Sequence, residues 1–462
     1  MQENLKDNKM RSRPIGRLLA TMSLPLAVSM LIQAMYNVVD SIYVSQISQN
    51  AVTALSLAFP IQNLQIGFAT GIAVGMNSFL SKSLGEGNRE RANRAAGNGI
   101  VLTLVAVVLF MLFGLFAARP FYAMQTTEAE VVEGGTAYTS ICCVFTMGIF
   151  VEVLGERLLQ ASGRTIYTLF TQGTGAILNI ILDPLFIFGY APLGIPAMGI
   201  AGAAVATVIG QWVAAIMAVI FNLTSNPDVQ LGFKYLKPDG YIVKKILAVG
   251  VPSVIMMAIG SVMNFGMNQI LLGFGAIGLT GSAVFGLYFK LQSFFFMPVF
   301  GLNNACVSIL AYNYGARQPE RIMKTLKLSL LAISVIMLLG VAAFQLIPEA
   351  LMGIFADPDD IANTQFIALG ADALRTISLA FPMAAVGIGL SASFQALGIG
   401  IYSTITSLSR QLLVLLPAAY LLSFTGNIHN VWWAFPIAEV VSLIVTLVCF
   451  ARIYRLRVKP LY

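Results

Sequence analysis

Asn179 and Asp183 stand four residues apart in the apolar stretch Ile166–Phe188, so both project from one face of a helix. Pro184 follows at once and leaves a carbonyl one turn back without its usual partner. No lysine or arginine in the stretch neutralises the aspartate. A carboxylate at membrane depth costs several kcal/mol, and such residues mark ion or substrate pathways. A second apolar stretch, Leu18–Ile42, repeats the pattern with Gln33, Tyr36 and Asp40 on one face. If the two aspartates meet, the pair can hold and release a proton. Alternatively, Na⁺ would take the carboxylate, amide and hydroxyl oxygens of such a set. The other reading is that each aspartate is a structural hydrogen-bonding residue.

Further charges lie inside apolar stretches. Glu152 and Glu156 are four apart, with Glu156 beside Arg157 and within reach of pairing with Arg164. That arrangement reads as an interfacial cluster, while Glu152 lies deeper, where substrate contact and a structural role both stay open. Lys290 and Glu439 lie at similar depth and are expected to pair, because an unpaired buried charge is strongly unfavourable. Arg375 and Arg410 lie near span ends and are expected to snorkel. Gln62, Asn63, Gln65, Asn77, Asn264, Asn268, Gln292, Asn303 and Asn304 are polar positions on apolar helices and mark a cleft. Cys142, Cys143, Cys306 and Cys449 have neither disulfide nor metal spacing. Gly85-Glu86-Gly87 lacks a phosphate-loop context and no Walker motif is present, so ATP is not the driver. No structural metal and no cofactor are expected.

The elements that position these residues follow from composition. The chain has 462 residues, 58% hydrophobic and 10% charged, with mean hydropathy +0.82. A soluble domain carries about 25% charged residues, so this is a polytopic membrane protein. Apolar runs of about 20 residues fall near 18–42, 54–80, 95–118, 136–159, 166–188, 199–221, 248–274, 280–310, 326–347, 372–395, 404–422 and 432–451. The expected fold is all-α, with twelve transmembrane helices. Loops alternate in charge. One set carries Lys6, Lys9, Arg11, Arg13 and Arg17, then Lys82, Arg89, Arg91 and Arg94, and later Arg317, Arg321, Lys324 and Lys327. The other carries Glu128, Glu130, Glu133, Glu349, Asp357, Asp359 and Asp360, with the only histidine, His429. The positive-inside rule puts both termini in the cytoplasm. The net charge of +7 is therefore a topology signal, and no nucleic-acid partner is expected.

The chain repeats itself. Gly85-x4-Glu90-Arg91 answers Gly315-x4-Glu320-Arg321, and Gln160-Ala161-Ser162-Gly163 answers Gln395-Ala396-Leu397-Gly398. Pro25 answers Pro252, and Pro184 answers Pro417. The offsets stay between 227 and 235 residues. Each half holds six spans, an even number, so the repeats are parallel, a transporter architecture. The expected organisation is an N-terminal lobe over 1–225, a cytoplasmic linker over 226–247 and a C-terminal lobe over 248–462, around a central cleft. Pro25 gives span one a bending point.

These spans, the Gly-x4-Glu-Arg loops, Asp40 and Asn179-x3-Asp183-Pro184 resemble the multidrug and toxic compound extrusion (MATE) exporters, on their bacterial DinF/MepA-like side. Gly202-Ala203-Ala204 and Phe435-Pro436-Ile437-Ala438-Glu439 also look like family signatures. The resemblance implies an antiporter driven by H⁺ or Na⁺ that exports amphipathic, mostly cationic compounds across a bacterial plasma membrane. It implies a coupling site at Asp40, Asn179, Asp183 and Thr207, with Gln33 and Tyr36 beside it. Thr207 enters through the Ala203-x3-Thr207 spacing. A substrate cleft would involve Gln62, Asn63, Glu152, Asn264, Asn268 and Gln292. Another branch carries acids in spans seven and ten. Here span seven offers only amides, and the counterparts of Asp40 and Asp183 are Met267 and Leu416. The expected partners are small amphipathic molecules and membrane lipid, and a monomer is expected. The alternative function is a flippase for lipid-linked saccharide precursors. An intramembrane enzyme is disfavoured, since no His, Cys or Ser constellation has catalytic spacing.

Overall fold

The computed structural model describes residues 9–354 and 362–462. Lys6, Asp357, Asp359 and Asp360 lie outside the described residues. Among those described there is helix and loop but no strand, apart from a single bridge between Tyr190 and Ile195. The first half contains α1 (Ile15–Ser45), α2 (Gln49–Gly85), α3 (Arg89–Ala123), α4 (Ala129–Val144), α5 (Met147–Ala161), α6 (Ile166–Ile187) and α7 (Ile200–Ser225). The second contains α8 (Gly240–Leu272), α9 (Ala276–Gly315), α10 (Pro319–Leu346), α11 (Ala362–Ser378), α12 (Phe381–Ala396), α13 (Ile401–Ser423) and α14 (Ile428–Leu461). Ten of these are long and apolar enough to cross a membrane alone. The pairs α4/α5 and α11/α12 qualify together, bent by 45° and 50°, which gives twelve spans.

Local sequence sets the helix ends. Ser48, Asn88 and Asp239 accept hydrogen bonds from the first-turn amides of α2, α3 and α8, satisfying donors that a helix start leaves free. α1 and α8 continue through Pro25 and Pro252. The repeat extends to backbone geometry. Gly87 has φ 75° and its counterpart Arg317 has φ 53°, the one left-handed non-glycine among the described residues. Gly163 and Gly398 match at 74° and 75°.

The broken spans must satisfy backbone groups that water cannot reach. At the α4/α5 break, Trp212 Nε1 donates to the Phe145 carbonyl at 3.2 Å and Gln65 Nε2 donates to the Cys142 carbonyl at 3.2 Å. Gln65 also bonds the Thr146 hydroxyl at the break. Gln65, expected in the cleft, therefore braces a helix break. The second break precedes Pro382, which has no N–H to continue the ladder. A wide turn at Phe113–Ala117 in α3 leaves a carbonyl at Gly114, which the Ser140 hydroxyl caps at 2.8 Å.

The halves meet along α2, which packs on α8 and α9, and along α1, which packs on α9. Small residues allow these backbones to approach. A side-chain carbon at Gly75 would lie 2.1 Å from the Ile246 carbonyl oxygen, and one at Gly71 would lie 2.7 Å from that of Gly250. At the end bearing the basic loops the contact becomes reciprocal. A carbon added at Gly85 meets the Tyr312 carbonyl at 2.0 Å, and one at Gly315 meets the Lys82 carbonyl at 2.1 Å. All four positions are related by the same offset of 230 residues, so the crossing lies on the pseudo-two-fold axis. Beside it, buried Asn77 and Ser308 bond each other at 3.1 Å. Asn77, another expected cleft residue, thus belongs to the seam. Arg321 ties the N-terminal segment to α9 through the Met10 and Arg13 carbonyls and Asn313, at 2.8 to 3.0 Å.

Candidate functional site

α6 presents Gln172, Ala176, Asn179 and Asp183 along one face. Asp183 is buried at 0% exposure and Asn179 at 3%. With the Asn179 amide oriented to satisfy both its groups, its oxygen accepts from the Thr207 amide at 3.0 Å and hydroxyl at 3.1 Å. Its nitrogen then donates to Asp183 Oδ2 at 2.7 Å. α1 brings Tyr36 against Thr207 and into the field of both aspartates. Asp40, one turn on, lies within electrostatic reach of Asp183. One oxygen on each carboxylate, Asp40 Oδ1 and Asp183 Oδ1, is buried without a hydrogen-bond partner. Two carboxylates, each with one buried and open acceptor oxygen, form an arrangement a proton or a small cation completes.

A cavity of about 640 Å³ lies between the halves. Gln33, Tyr36, Asn179 and Thr207 line it, whereas Asp40 and Asp183 stand behind that wall. The structure thus brings Tyr36, Asp40, Asn179, Asp183 and Thr207 together, makes Tyr36, Asn179 and Thr207 the partition between carboxylates and cavity, and leaves Gln33 on the cavity wall. Glu152 and Asn63 line the cavity, as do Asn303 and Asn304. Asn63 also reaches across to Ser261 at 3.3 Å. Gln62, Asn264, Asn268 and Gln292 are not among the lining residues. Three of them bond within their own half: Gln62 to the Tyr138 hydroxyl at 2.7 Å, Asn264 to the Gly260 carbonyl at 3.2 Å, and Asn268 from Ser282 at 2.6 Å. Glu156 accepts from Thr171 at 2.6 Å and Gln172 at 2.8 Å, where Arg164 was expected, and Arg157 bonds Gln160 at 3.0 Å.

The expected Lys290–Glu439 pair is not formed. Lys290 is exposed, and Glu439 instead takes Arg410 at 3.4 Å. Arg410 shares a face of α13 with Ser403 and Ser407 and meets Glu439 of α14 from there, so it takes the partner expected for Lys290. Arg410 therefore does not snorkel but lines the cavity, while Arg375 binds Glu349 at 2.8 Å among exposed groups. His429 lies 2.6 Å from Asp372, both about half exposed. Arg410→Ala should lower stability by about 2 kcal/mol, less than the 3–5 of a fully buried broken pair because Arg410 keeps water contact. Adding Glu439→Ala should recover part of that loss, and Lys290→Ala alone should stay within about 0.5 kcal/mol of the parent. Thermal unfolding in detergent measures all three.

Sequence reasoning missed Gln172 and Gln211 on the first-half wall and the polar face of α13 on the second. A signal existed: Ser403, Thr406, Ser407 and Arg410 recur at helical spacing on an otherwise apolar helix. Among the described residues, no cluster of three or more His, Cys, Asp or Glu could hold a metal ion. In the second half, Met267 is fully buried, and a side-chain carbon at Gly266 would lie 2.8 Å from Leu416. The positions answering Asp40 and Asp183 are apolar.

The sequence profile of the MatE family matches this chain twice, over residues 25–185 and 252–421. A FAD transporter of Shewanella oneidensis is 24% identical over 440 residues, covering 95% of this chain and 94% of that protein. The multidrug export protein MepA of Staphylococcus haemolyticus is 23% identical, with 91% and 89% covered. Among solved structures, an outward-facing multidrug resistance MATE family transporter of the MOP superfamily superposes with a TM-score of 0.90. It is 25% identical, with 99% and 98% of the two chains covered.

Proposed function

The chain belongs to the MatE family of multidrug and toxic compound exporters, and on that premise we propose a cation-coupled antiporter. Its cargo would be amphipathic, mostly cationic drugs, and its location the bacterial plasma membrane with the basic end and both termini cytoplasmic. The observation that carries this reading is the pair of unpartnered carboxylate oxygens behind a wall that also faces the cavity. Protonating either aspartate, or placing Na⁺ between the two, changes what Asn179, Thr207 and Tyr36 are held by. Those residues then repack on the cavity side, and the site's affinity for a cation changes with them. Ligand and ion are thereby linked through shared residues, which is what reciprocal coupling requires. For Na⁺, the available ligands are oxygens, the chemistry hard cations select. Glu152 supplies the negative charge that a cationic substrate would meet in the cavity.

The seam at the basic end supports the export direction. The glycine crossing and the Asn77–Ser308 contact hold the halves together at that end, and with the basic end cytoplasmic the cavity would face outward. The protein acts as a monomer in lipid in this reading, since the cavity draws its walls from one chain. Dye efflux from inside-out vesicles, with pH and sodium gradients imposed separately, tests it. Ethidium export should follow one gradient and stop when that gradient is collapsed. Export that follows ATP, or neither gradient, would overturn the reading.

A further inference from the structure

The cavity walls differ in chemistry. The first-half wall carries Glu152, and the second-half wall carries Arg410 amid hydroxyl and amide groups. Arg410 is 28% exposed by side chain, and Glu439 behind it 13%. Only Glu439 Oε1 meets Nη1, at 3.4 Å, a long single contact. A guanidinium has five N–H donors in a planar fork suited to two oxygens of an oxyanion, and Glu439 occupies one of them. Glu439 therefore fixes the arginine's position and leaves donors toward the cavity. A second observation lies on the same helix. Ser403 is 1% exposed and lines the cavity, yet its hydroxyl has no partner. It is a buried donor in the cavity wall that no protein group satisfies, and buried polar groups are rarely left so.

We infer that the second-half wall, with Arg410 as its anchor, binds an oxyanion group of the substrate, so that the preferred cargo carries an acid as well as an amphipathic or cationic body. Glu152 and Arg410 then act at opposite ends of one molecule. The donor set fits a carboxylate or a phosphate, which share planar or tetrahedral oxygens able to take two N–H bonds at once. A simple cationic dye occupies the first-half wall and leaves Arg410 to water. This inference deepens the export reading by naming a substrate class, but equilibrium binding tests it independently of transport.

The experiment compares matched ligands on the whole protein in detergent. A zwitterionic fluoroquinolone is set against its methyl ester, and flavin mononucleotide against riboflavin. In the parent, the acid of at least one pair should bind at least tenfold tighter than its counterpart without the acid. Preference in the first pair assigns a carboxylate subsite, and preference in the second a phosphate subsite. In Arg410→Gln the ratio should fall below threefold, with Arg410→Lys intermediate because an ammonium cannot make the planar fork. Arg410→Gln strands Glu439, so the double variant Arg410→Gln with Glu439→Gln is measured too, and its ratio should stay low. Parent ratios near one for both pairs would overturn the inference. So would an acid preference that persists in the double variant. Failure of ethidium export with the binding preference intact would instead count against the antiporter reading alone.

Discussion

Asp183→Asn should leave the protein folded and inserted, yet reduce gradient-driven efflux about 5- to 150-fold, the span of ordinary coupling energies. The amide keeps the carboxylate's shape, and its oxygen can still accept from Asn179, now 2.7 Å from Oδ2. What disappears is the charge and the proton. Asp40→Asn should act alike, because the second unpartnered oxygen belongs to Asp40. Substrate counterflow, which needs no net coupling, should survive in both variants and separates lost coupling from lost binding. If both variants export dye at the parent's rate under a gradient, coupling does not run through this pair, and Glu152 becomes the next group to test.

Gly85→Ala and Gly315→Ala should each open the seam at the basic end. The added carbon meets a carbonyl oxygen at 2.0 or 2.1 Å, and backbone cannot step aside as a flexible side chain can. Overpacking of this kind costs about 1–3 kcal/mol, enough to shift a balanced two-state carrier by roughly 5- to 150-fold. Separating α2 from α9 also strains the Asn77–Ser308 contact, 3.1 Å in the closed seam. A cysteine placed at Ser308, in a chain stripped of its native cysteines, should label at least tenfold faster with a polar maleimide in either glycine variant, and efflux should fall. Unchanged labelling together with normal efflux would show that the seam does not gate.

Much of this was legible in the sequence because membrane physics leaves few options. Twelve apolar runs and alternating loop charge follow from the bilayer's thickness and its intolerance of charge. Asp40 and Asp183 stood out because a carboxylate in an apolar helix is costly enough to need a reason. The breaks in α4/α5 and α11/α12 were not legible. The runs stay apolar across them, and the groups that satisfy the first break, Gln65 and Trp212, come from distant helices. The polar residues were ambiguous for a related reason. An amide on an apolar helix can face a cavity, as Asn303 and Asn304 do, or fasten two helices, as Gln62 and Asn77 do. Spacing alone does not separate these uses. Lys290 was misassigned because depth along α9 does not say which side of the helix it takes, and Arg410 because its place near a span end outweighed the polar face it shares with Ser403 and Ser407.

The reciprocal crossing of Gly85 and Gly315 has the form of an isologous contact, the kind two identical subunits make across a dimer axis. Here both subunits are one polypeptide, as if a homodimer had been joined end to end by duplication. The seam kept its symmetry while the chemistry did not. Acids stand at Asp40 and Asp183, while Met267 and Leu416 stand at the matching positions, and Arg410 lines the opposite wall. A symmetric hinge with unlike arms would let one arm hold an ion site while both arms face the cargo, and each must move when its twin does.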